Sequence, residues 1–397
     1  MADPALDLLN KLFERWQRAD NNGRTLSLSL SGRDGPAYRA TFGVSREDFH
    51  ATMENAAKCG AVRLKRGRFE TSHELIQVAL DDGHKLAGFL GRAPAEALVA
   101  AMALRIAPLL ERAPPWLHAC WDNAAARWRR GETALRLRLP QHADEVERLF
   151  KALLAVSRNQ QDNLDLRSFS VLATGDSKAM ERLKASFIEA WRAAHDGEGL
   201  DADDLYQVLG LIKSPQPILL RGAVELHSKN VLLDLSGVFP WIGLPGETLR
   251  NAVLPKQPDY VLSIENWASF ARHCREVRDH GLILYTGGFP NPSVQSLLQR
   301  FGQEIAVSTA FYHWGDTDVR GLEILALVAK LSGRTIYPHL MDRAEWAGTQ
   351  TLTQSQAKTL ENLRDISSLS TLITKFITMG IPQDFEQESQ MPKPPKA

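Results

Sequence analysis

From residue 260 onward, short apolar runs alternate with stretches of helical periodicity. This strand–helix–strand repetition predicts a mainly parallel sheet covered by helices, because parallel strands need a crossover that is long enough to hold a helix. We therefore predict a C-terminal α/β domain over residues 216–390. Candidate strands, including two that precede the repetition, are residues 218–220, 231–235, 260–264, 282–285, 310–314 and 335–340.

Residues 1–92 have the pattern of a small unit in which helices precede a basic strand. Ser45 with Asp48 three residues later predicts a capping box at the start of a second helix. The stretch 75–90 predicts a hairpin that turns at Asp82-Gly83. Helices followed by a basic hairpin predict a winged-helix-like arm, a motif that contacts DNA with a helix and a wing. The first helix is indicated by apolar residues at helical spacing, namely Leu6, Leu9, Phe13 and Trp16.

A basic cluster follows the second predicted helix, where polar and apolar residues alternate. It is a candidate DNA-binding surface, because affinity for a phosphate backbone depends on a local basic face. Two other interpretations stay open. Charges on a strand edge can simply deter edge-to-edge pairing, and winged helices also dock proteins. The cluster consists of Arg63, Lys65, Arg66 and Arg68.

Residues 93–215 are predicted to be mostly helical. The alternation in "TALRLRL", residues 133–139, predicts one strand in this region. "KSPQP", residues 213–217, marks a boundary because two prolines flank a polar turn. Residues 391–397 are predicted to be a flexible tail.

Composition narrows the functional classes. The chain has 47 basic and 47 acidic residues, which excludes a histone-like polycation but not a local basic face. Its 3 cysteines form no CxxC pair, which argues against a zinc site or a disulfide framework. The N-terminus carries early acids without the apolar core of a signal peptide, and no apolar run is long enough to span a bilayer. These features predict a cytoplasmic protein without membrane contact.

Two of the predicted strands are followed directly by acids. Glu265 follows residues 260–264, and Asp316 and Asp318 follow residues 310–314. In an open parallel sheet, ligands bind beyond the carboxyl ends of the strands. Clustered carboxylates raise one another's pKa or recruit a cation, and oxygen ligands without histidine or cysteine select Mg²⁺ or Mn²⁺. The alternative is that one of the aspartates only caps the following helix.

The sequence resembles a known family at several motifs. It is similar to the JetD nuclease family, also called MksG, of Wadjet-type SMC plasmid-defence systems. That family has a Toprim domain, which is related to the A subunit of topoisomerase VI. The motifs that carry the resemblance are "LRSFSVLATGDSKAMERL", "VLSIENWASF", "YTGGFPNPSVQSLL", "YHWGDTDVRGLEIL", "YPHLMD" and "FEQES".

The resemblance implies a fold, an activity and partners. The fold is α+β and multidomain, with the winged-helix-like arm (1–92), a helical CAP-like DNA-binding domain (93–215) and a Toprim domain (216–390). Glu265, Asp316 and Asp318 would hold the catalytic Mg²⁺ or Mn²⁺, and Glu386 and Glu388 would fold back towards a second metal. The substrate would be double-stranded plasmid DNA. The partners would be SMC-like ATPase and kleisin subunits, and the protein would be a homodimer. The roles of Glu323 and Asp342 stay open.

The position of tyrosines bears on the mechanism. The topoisomerase-like relatives attack DNA with a tyrosine that precedes the Toprim domain, but this chain has no tyrosine between Tyr38 and Tyr206. Water is therefore the predicted nucleophile. The alternatives are a covalent, topoisomerase VI-like DNA-cleaving subunit and a non-catalytic DNA-binding regulator.

Overall fold

The structure, a computed structural model, describes residues 3–19, 25–195, 200–214, 216–228, 231–342, 349–382 and 387–395. The fold mixes helices with several sheets. The chain divides into two compact units. Unit 1 comprises Met1–Ser157 with Ala179–Asp196, and unit 2 comprises Arg158–Lys178 with Gly197–Ala397. The domain boundaries at residues 92 and 215 stay predictions.

The first part of unit 1 packs helices against a small antiparallel sheet. Its strands are ordered β1-β3-β2, and β3 pairs with both neighbours. Leu9 and Phe13 of the first helix are buried as predicted, in one core with Phe49 and Met53 of the third helix, whereas the predicted Leu6 is 38% exposed. The elements are α1 (Pro4–Arg18), β1 (Ser27–Ser29), α2 (Pro36–Arg39), α3 (Val44–Lys58), β2 (Val62–Arg66), β3 (Leu75–Leu80) and α4 (Gly83–Phe89).

Two local predictions in this region were wrong. The N-cap of α3 is Gly43, and the Ser45 hydroxyl donates to the Phe42 carbonyl at 2.9 Å instead of forming a capping box. No hairpin turns at Asp82-Gly83, because the Asp82 carboxylate accepts from the first backbone amides of α4. The hairpin lies upstream, between β2 and β3.

The described residues between 95 and 208 are mostly helical, with α8 and α11 belonging to unit 2. The strand predicted at residues 133–139 was wrong. Ala134 and Leu137 instead pair across a tight turn, since Leu135 and Arg136 have left-handed φ angles of 49° and 60°. The helices are α5 (Ala95–Leu110), α6 (Pro115–Arg129), α7 (Ala143–Ser157), α8 (Leu166–Thr174), α9 (Ala179–Arg182), α10 (Lys184–Ala194) and α11 (Ala202–Val208).

Unit 2 is built on a six-stranded sheet with the order β12-β11-β9-β10-β4-β7. Strands β12, β11, β9 and β10 run parallel, whereas β4 and β7 add antiparallel neighbours at one side. The strands are β4 (Ile218–Arg221), β5 (Glu225–Ser228), β6 (Val231–Asp234), β7 (Ile242–Leu244), β8 (Ala252–Val253), β9 (Tyr260–Ile264), β10 (Leu282–Tyr285), β11 (Ala310–Trp314), β12 (Ile336–Pro338), β13 (Thr349–Gln350) and β14 (Ile381–Pro382). The helices are α12 (Gly246–Leu249), α13 (Trp267–Glu276), α14 (Pro292–Glu304), α15 (Val319–Ser332), α16 (Gln354–Asn362) and α17 (Ser370–Met379).

The mainly parallel sheet is confirmed, except that one predicted strand belongs to a different sheet. The strand predicted at 231–235 is β6, which pairs with β5 in a separate antiparallel sheet of order β6-β5-β8. All five residues of β9 are buried, as is typical of a central strand covered on both faces. No helix in the described part of the chain is long and apolar enough to cross a membrane.

Candidate metal-binding site

The acids lie at the carboxyl edge of two neighbouring strands. Strands β9 and β11 are adjacent and parallel, and their register pairs Ile264 with Trp314. Glu265 is the residue after the end of β9, and its backbone amide donates to the Trp314 carbonyl at 3.0 Å. Residues that are about 50 positions apart in sequence are thereby brought to one edge, where ligands of parallel sheets bind.

The Glu265 carboxyl group is half-buried beside other acids. Its Oε2 atom accepts a hydrogen bond from the Asp316 backbone amide at 3.3 Å. Burial, together with the negative charges of Asp316 and Asp318, raises the pKa of Glu265 to about 7. A carboxyl group with this pKa holds a proton or pairs with a cation near neutral pH.

The segment that carries the aspartates is also a helix start. The Asp318 carboxylate caps α15 by accepting from the Gly321 backbone amide at 2.7 Å. A Cβ atom at Gly321 would lie 2.1 Å from the Asp316 carbonyl oxygen, so glycine is needed for this close turn. Among the described residues, no three His, Cys, Asp or Glu side chains are grouped so that they could hold a metal ion. Asp318 therefore caps α15, as one of the two interpretations of the sequence predicted.

Arg320 directs its guanidinium group towards other acids of unit 2. It donates to Asp204 and, at 3.4 Å, to Asp201 at the start of α11. Burial raises the pKa of Glu323, and the charges of Asp204 and Asp318 add to the effect. Glu323 is therefore a further acid with a raised pKa in this region.

Asp342, which follows β12 (Ile336–Pro338) after a short loop, forms an ion pair. Its carboxylate contacts the Lys375 ammonium group at 2.6 Å. This contact favours a structural role for Asp342.

The C-terminal segment, defined here as residues 387–390, packs at the same edge of the sheet. Gln387 is 1% exposed and donates from Nε2 to the Trp314 carbonyl at 2.9 Å. The Glu388 carboxylate accepts from Asn266 Nδ2 at 2.5 Å, directly after Glu265. The structure thus places the Glu388 carboxylate against Asn266, the residue after Glu265, while Glu386 lies outside the described residues.

Two contacts of this segment were missed from the sequence. Asn266 caps α13 through its side-chain oxygen and also donates to Glu388. Arg272, one turn into α13, donates to the carbonyl groups of Glu388 and Gln390 at 3.0 and 3.1 Å. The signal for Asn266 was an asparagine immediately before a helix, whereas nothing local indicated the Arg272 contact.

The basic cluster of unit 1 lies on an exposed strand and loop. All four side chains are exposed, but Arg63 is paired with Asp81 at 2.9 Å and Arg66 with Glu54 at 2.5 Å. Beside the cluster, Phe69 is 92% exposed in the loop between β2 and β3. Ion pairing reduces the positive charge that Arg63 and Arg66 present to a ligand.

Both tyrosines that precede the predicted Toprim region are packed. Tyr38 is 3% exposed, and its hydroxyl lies 2.9 Å from His50 Nε2 and accepts from the Leu75 amide at 2.9 Å. Tyr206 is 5% exposed, and burial raises its pKa. Neither phenol is presented as an accessible nucleophile.

Two family models match the chain. One, described as "Wadjet protein JetD, C-terminal", matches residues 215–389. The other, described as an uncharacterized protein conserved in bacteria, N-terminal, matches residues 6–192. The chain is also similar to a Wadjet protein JetD of Bacillus cereus (strain Q1), with 26% identity over 243 residues. That match covers 60% of this chain and 58% of the relative, so the chain spans under two thirds of the relative's length. Residues 215–389 of the chain belong to the JetD C-terminal family.

Proposed function

We propose that this protein is the DNA endonuclease subunit of a Wadjet system, and that it hydrolyses plasmid DNA with Mg²⁺ or Mn²⁺. The observation that carries the proposal is the Glu265 carboxyl group. It is held at a parallel-sheet edge with a pKa of about 7, beside Asp316 and Asp318. A buried carboxyl group whose pKa is shifted by specific charged neighbours marks a candidate functional site, and a cation would balance the negative charge here.

Glu265, Asp316 and Asp318 would hold the first cation, and Glu386 and Glu388 would serve a second position. The donor set fits, because all these ligands are hard oxygen atoms and the raised pKa of Glu265 marks unbalanced negative charge. When bound, such ions polarise a phosphoryl oxygen and lower the pKa of water. The chain itself fixes Glu265 through the Asp316 amide and fixes Glu388 through Asn266.

Hydrolysis by water is favoured over covalent chemistry. A covalent mechanism needs an accessible hydroxyl group that can be activated. Tyr38 and Tyr206 are buried, and burial moves the pKa of Tyr206 further from neutrality. We therefore expect cleavage products with free ends.

We assign the Toprim fold to the six-stranded sheet and a winged-helix arm to residues 1–92. The arm's helices followed by the β2–β3 hairpin support DNA contact through Lys65 and Arg68, with lesser contributions from the ion-paired Arg63 and Arg66. A homodimer would supply two sites for two strands, because a symmetric pair presents each site once to each strand. SMC-like ATPase and kleisin subunits would deliver the DNA.

A second candidate is a non-catalytic DNA-binding regulator. The observation that favours it is the cap that Asp318 forms on α15, together with the lack of a closed group of three ligands among the described residues. In that case the acids serve the fold, and Asp318 needs only a side-chain oxygen that can accept a hydrogen bond.

Substitution of Asp318 by asparagine separates the two candidates. The Asp318→Asn variant would keep an oxygen for the cap but lose the negative charge, and asparagine caps helices about as well as aspartate. A metal-dependent nuclease should lose cleavage and Mn²⁺ binding in this variant while its melting temperature stays within a few degrees. The matched control is Asp165→Asn, because Asp165 caps α8 of the same unit in the same way.

The assay uses supercoiled plasmid with the protein alone and with its Wadjet partner subunits, in Mg²⁺, Mn²⁺ or EDTA. Equilibrium Mn²⁺ binding is measured on the same samples. Cutting by the wild type and by Asp165→Asn, but not by Asp318→Asn, supports the nuclease. If the complete complex does not cut with any divalent cation and the protein binds no Mn²⁺, the regulator is the better description.

A further inference from the structure

We propose that His313 is a positioning residue that holds the Glu265 carboxylate through a hydrogen bond from its Nε2 atom. The inference rests on the proposed role of Glu265 as a cation ligand. His313 is the fourth of the five residues of β11 and is 0% exposed. A buried imidazole in a central strand needs a reason beyond packing, because polar groups cost free energy when they are buried without partners.

The register of the sheet puts His313 beside Glu265. Ser263 and Glu265 are two residues apart, so they lie on one face of β9 and its extension. Ser263 pairs in register with His313 of the neighbouring strand. The next position on the same face of that strand is Gly315, which lies opposite Glu265. The carboxyl group therefore has a glycine beside it and an imidazole diagonally behind it.

Gly315 leaves the space between the two side chains open. A Cβ atom at this position would lie 2.8 Å from Glu265 Oε2 and 2.8 Å from His313 Nε2. Glu265 Oε2 and His313 Nε2 therefore border the same small volume. The distance between these two atoms is at most twice 2.8 Å. A side chain at Gly315 would separate them, whereas glycine lets them approach with a small rotation of the Glu265 side chain.

His313 Nε2 is available to form a hydrogen bond. Among the described residues, this atom has no hydrogen-bond partner although it is buried. In the described residues, Glu265 Oε2 accepts only one hydrogen bond, which comes from the Asp316 amide and is long at 3.3 Å. An imidazole nitrogen and a carboxylate oxygen that face one space satisfy each other, and ligating carboxylates are commonly oriented by such hydrogen bonds.

Ser263 can accommodate either neutral tautomer of His313. Burial lowers the pKa of His313 to about 3, so the ring is neutral and carries a single N–H. The Ser263 hydroxyl lies 2.8 Å from His313 Nδ1 and 3.2 Å from the Tyr312 carbonyl, and its one proton can serve either acceptor. When the hydroxyl donates to Nδ1, the ring proton is on Nε2 and points at the carboxylate. An ionised Glu265 favours this arrangement because it is an acceptor only.

The chain offers a matched control for the loss of a buried imidazole. His273 of α13 is also 0% exposed, and burial lowers its pKa to about 3. His273 lies on α13, where its ring packs against Trp314 with 6.3 Å between the ring centroids, whereas His313 Nε2 borders the space at Gly315 that Glu265 Oε2 also borders. His273→Leu and His313→Leu therefore remove similar groups, but only the second should affect Glu265.

The first measurement is made on the metal-free protein. Histidine labelled with ¹⁵N reports the tautomer of each ring, and the His313 signals are assigned by their disappearance in His313→Gln. We expect the Nε2–H tautomer at pH 8 and a clear shift of the Nε2 signal in Glu265→Gln. A His313 ring protonated on Nδ1, or one that does not respond to Glu265→Gln, overturns the inference whatever the protein does with metals.

The second measurement is equilibrium Mn²⁺ binding. His313→Leu should weaken Mn²⁺ affinity about 10- to 100-fold, as loss of an outer partner of a metal ligand usually does. His313→Gln, whose amide N–H can donate from a similar place, should recover part of the loss, and His273→Leu should bind within about twofold of the wild type. Adding His313→Leu to Glu265→Gln should cause little further loss, because the two groups act as one.

The outcomes separate this inference from the proposed function. If the wild type binds Mn²⁺ and His313→Leu binds it equally well while folded, the positioning role is wrong and the nuclease proposal stands. If the tautomer responds to Glu265→Gln but the wild type neither binds Mn²⁺ nor cuts DNA, the hydrogen bond stands and the proposed function is wrong.

Discussion

Replacing Glu265 by glutamine should make the metal-free protein more stable at alkaline pH. The pKa of Glu265 is raised to about 7 by burial and by the charges of Asp316 and Asp318. The folded protein therefore holds a proton on this group more tightly than the unfolded chain, whose glutamate titrates near its ordinary value of 4.5. Glutamine resembles the protonated carboxyl group in shape and never ionises, so it avoids the cost of a buried charge.

The sign and size follow from proton linkage. Because the pKa is raised in the folded state, the stabilisation is complete below the unfolded pKa of 4.5 and is lost as the pH rises through 7. Between pH 5 and pH 8 the wild type should lose about 2.5 kcal/mol relative to Glu265→Gln, since a tenfold difference in proton affinity is worth about 1.4 kcal/mol. Mn²⁺ at saturating concentration should reverse this loss in the wild type only.

The assay must report on unit 2 alone, because a chain with two compact units need not unfold in one step. Cys274 is buried in α13 of that unit and can serve as the probe. Its labelling by a thiol reagent in rising urea is followed in a Cys59→Ser, Cys120→Ser background, with EDTA present. Rates are corrected with a free thiol at each pH.

The control is Glu247→Gln, which changes an exposed glutamate of the same unit. Its pH dependence should match that of the wild type. Parallel stability curves for the wild type and Glu265→Gln from pH 5 to pH 8 would refute the raised pKa, and with it the unbalanced negative charge on which the cation site depends.

Further predictions concern the C-terminal segment, the nucleophile and the arm. Arg272→Ala should release the C-terminal segment, because the carbonyl groups of Glu388 and Gln390 lose their donor, and limited proteolysis should then remove the segment faster. Unchanged digestion would mean that the buried side chains of Gln387 and Gln390 are sufficient to hold it. The Tyr38→Phe, Tyr206→Phe double variant should keep cutting and leave ends open to exonuclease, and protein-linked DNA after denaturant quenching would instead support covalent chemistry. Lys65→Glu with Arg68→Glu should weaken DNA binding and reduce the salt slope by about two, since each lost phosphate contact removes roughly one released counterion. An unchanged slope would favour the arm as a protein-docking surface.

The central strands could be predicted from the sequence because no other local sequence signal contradicts the strand pattern of their apolar runs. Residues 260–264, 282–285 and 310–314 were predicted with the bounds that β9, β10 and β11 have. Each run is bounded by polar or turn-forming residues and is mostly buried, completely so in β9, and burial and local pattern therefore agree. The strand at 231–235 exists, but its partners could not be predicted, since pairing depends on segments with no strand pattern of their own.

The wrong predictions share one cause, which is a local signal that fits two structures. Asp82-Gly83 is a common turn pair, yet an aspartate before a glycine can equally begin a helix. The choice was made by tertiary packing, because a Cβ atom at Gly83 would lie 2.1 Å from Trp16 Cε2. The alternation at 133–139 was similarly ambiguous, and the left-handed Leu135 and Arg136 turn the chain there instead of extending it.

Of the candidate site, only the acids at the strand ends could be predicted from the sequence. The carboxyl ends of neighbouring parallel strands meet at one edge, so acids at the ends of two such strands can be brought together from sequence pattern alone. The partner of an acid is a different problem, because it depends on register. A shift of one residue between β9 and β11 would pair Ser263 with Tyr312 or Trp314 and would turn the imidazole to the opposite face. The role of Gly315 can be recognised only when the register is known. Because Gly315 has no side chain, His313 can approach Glu265.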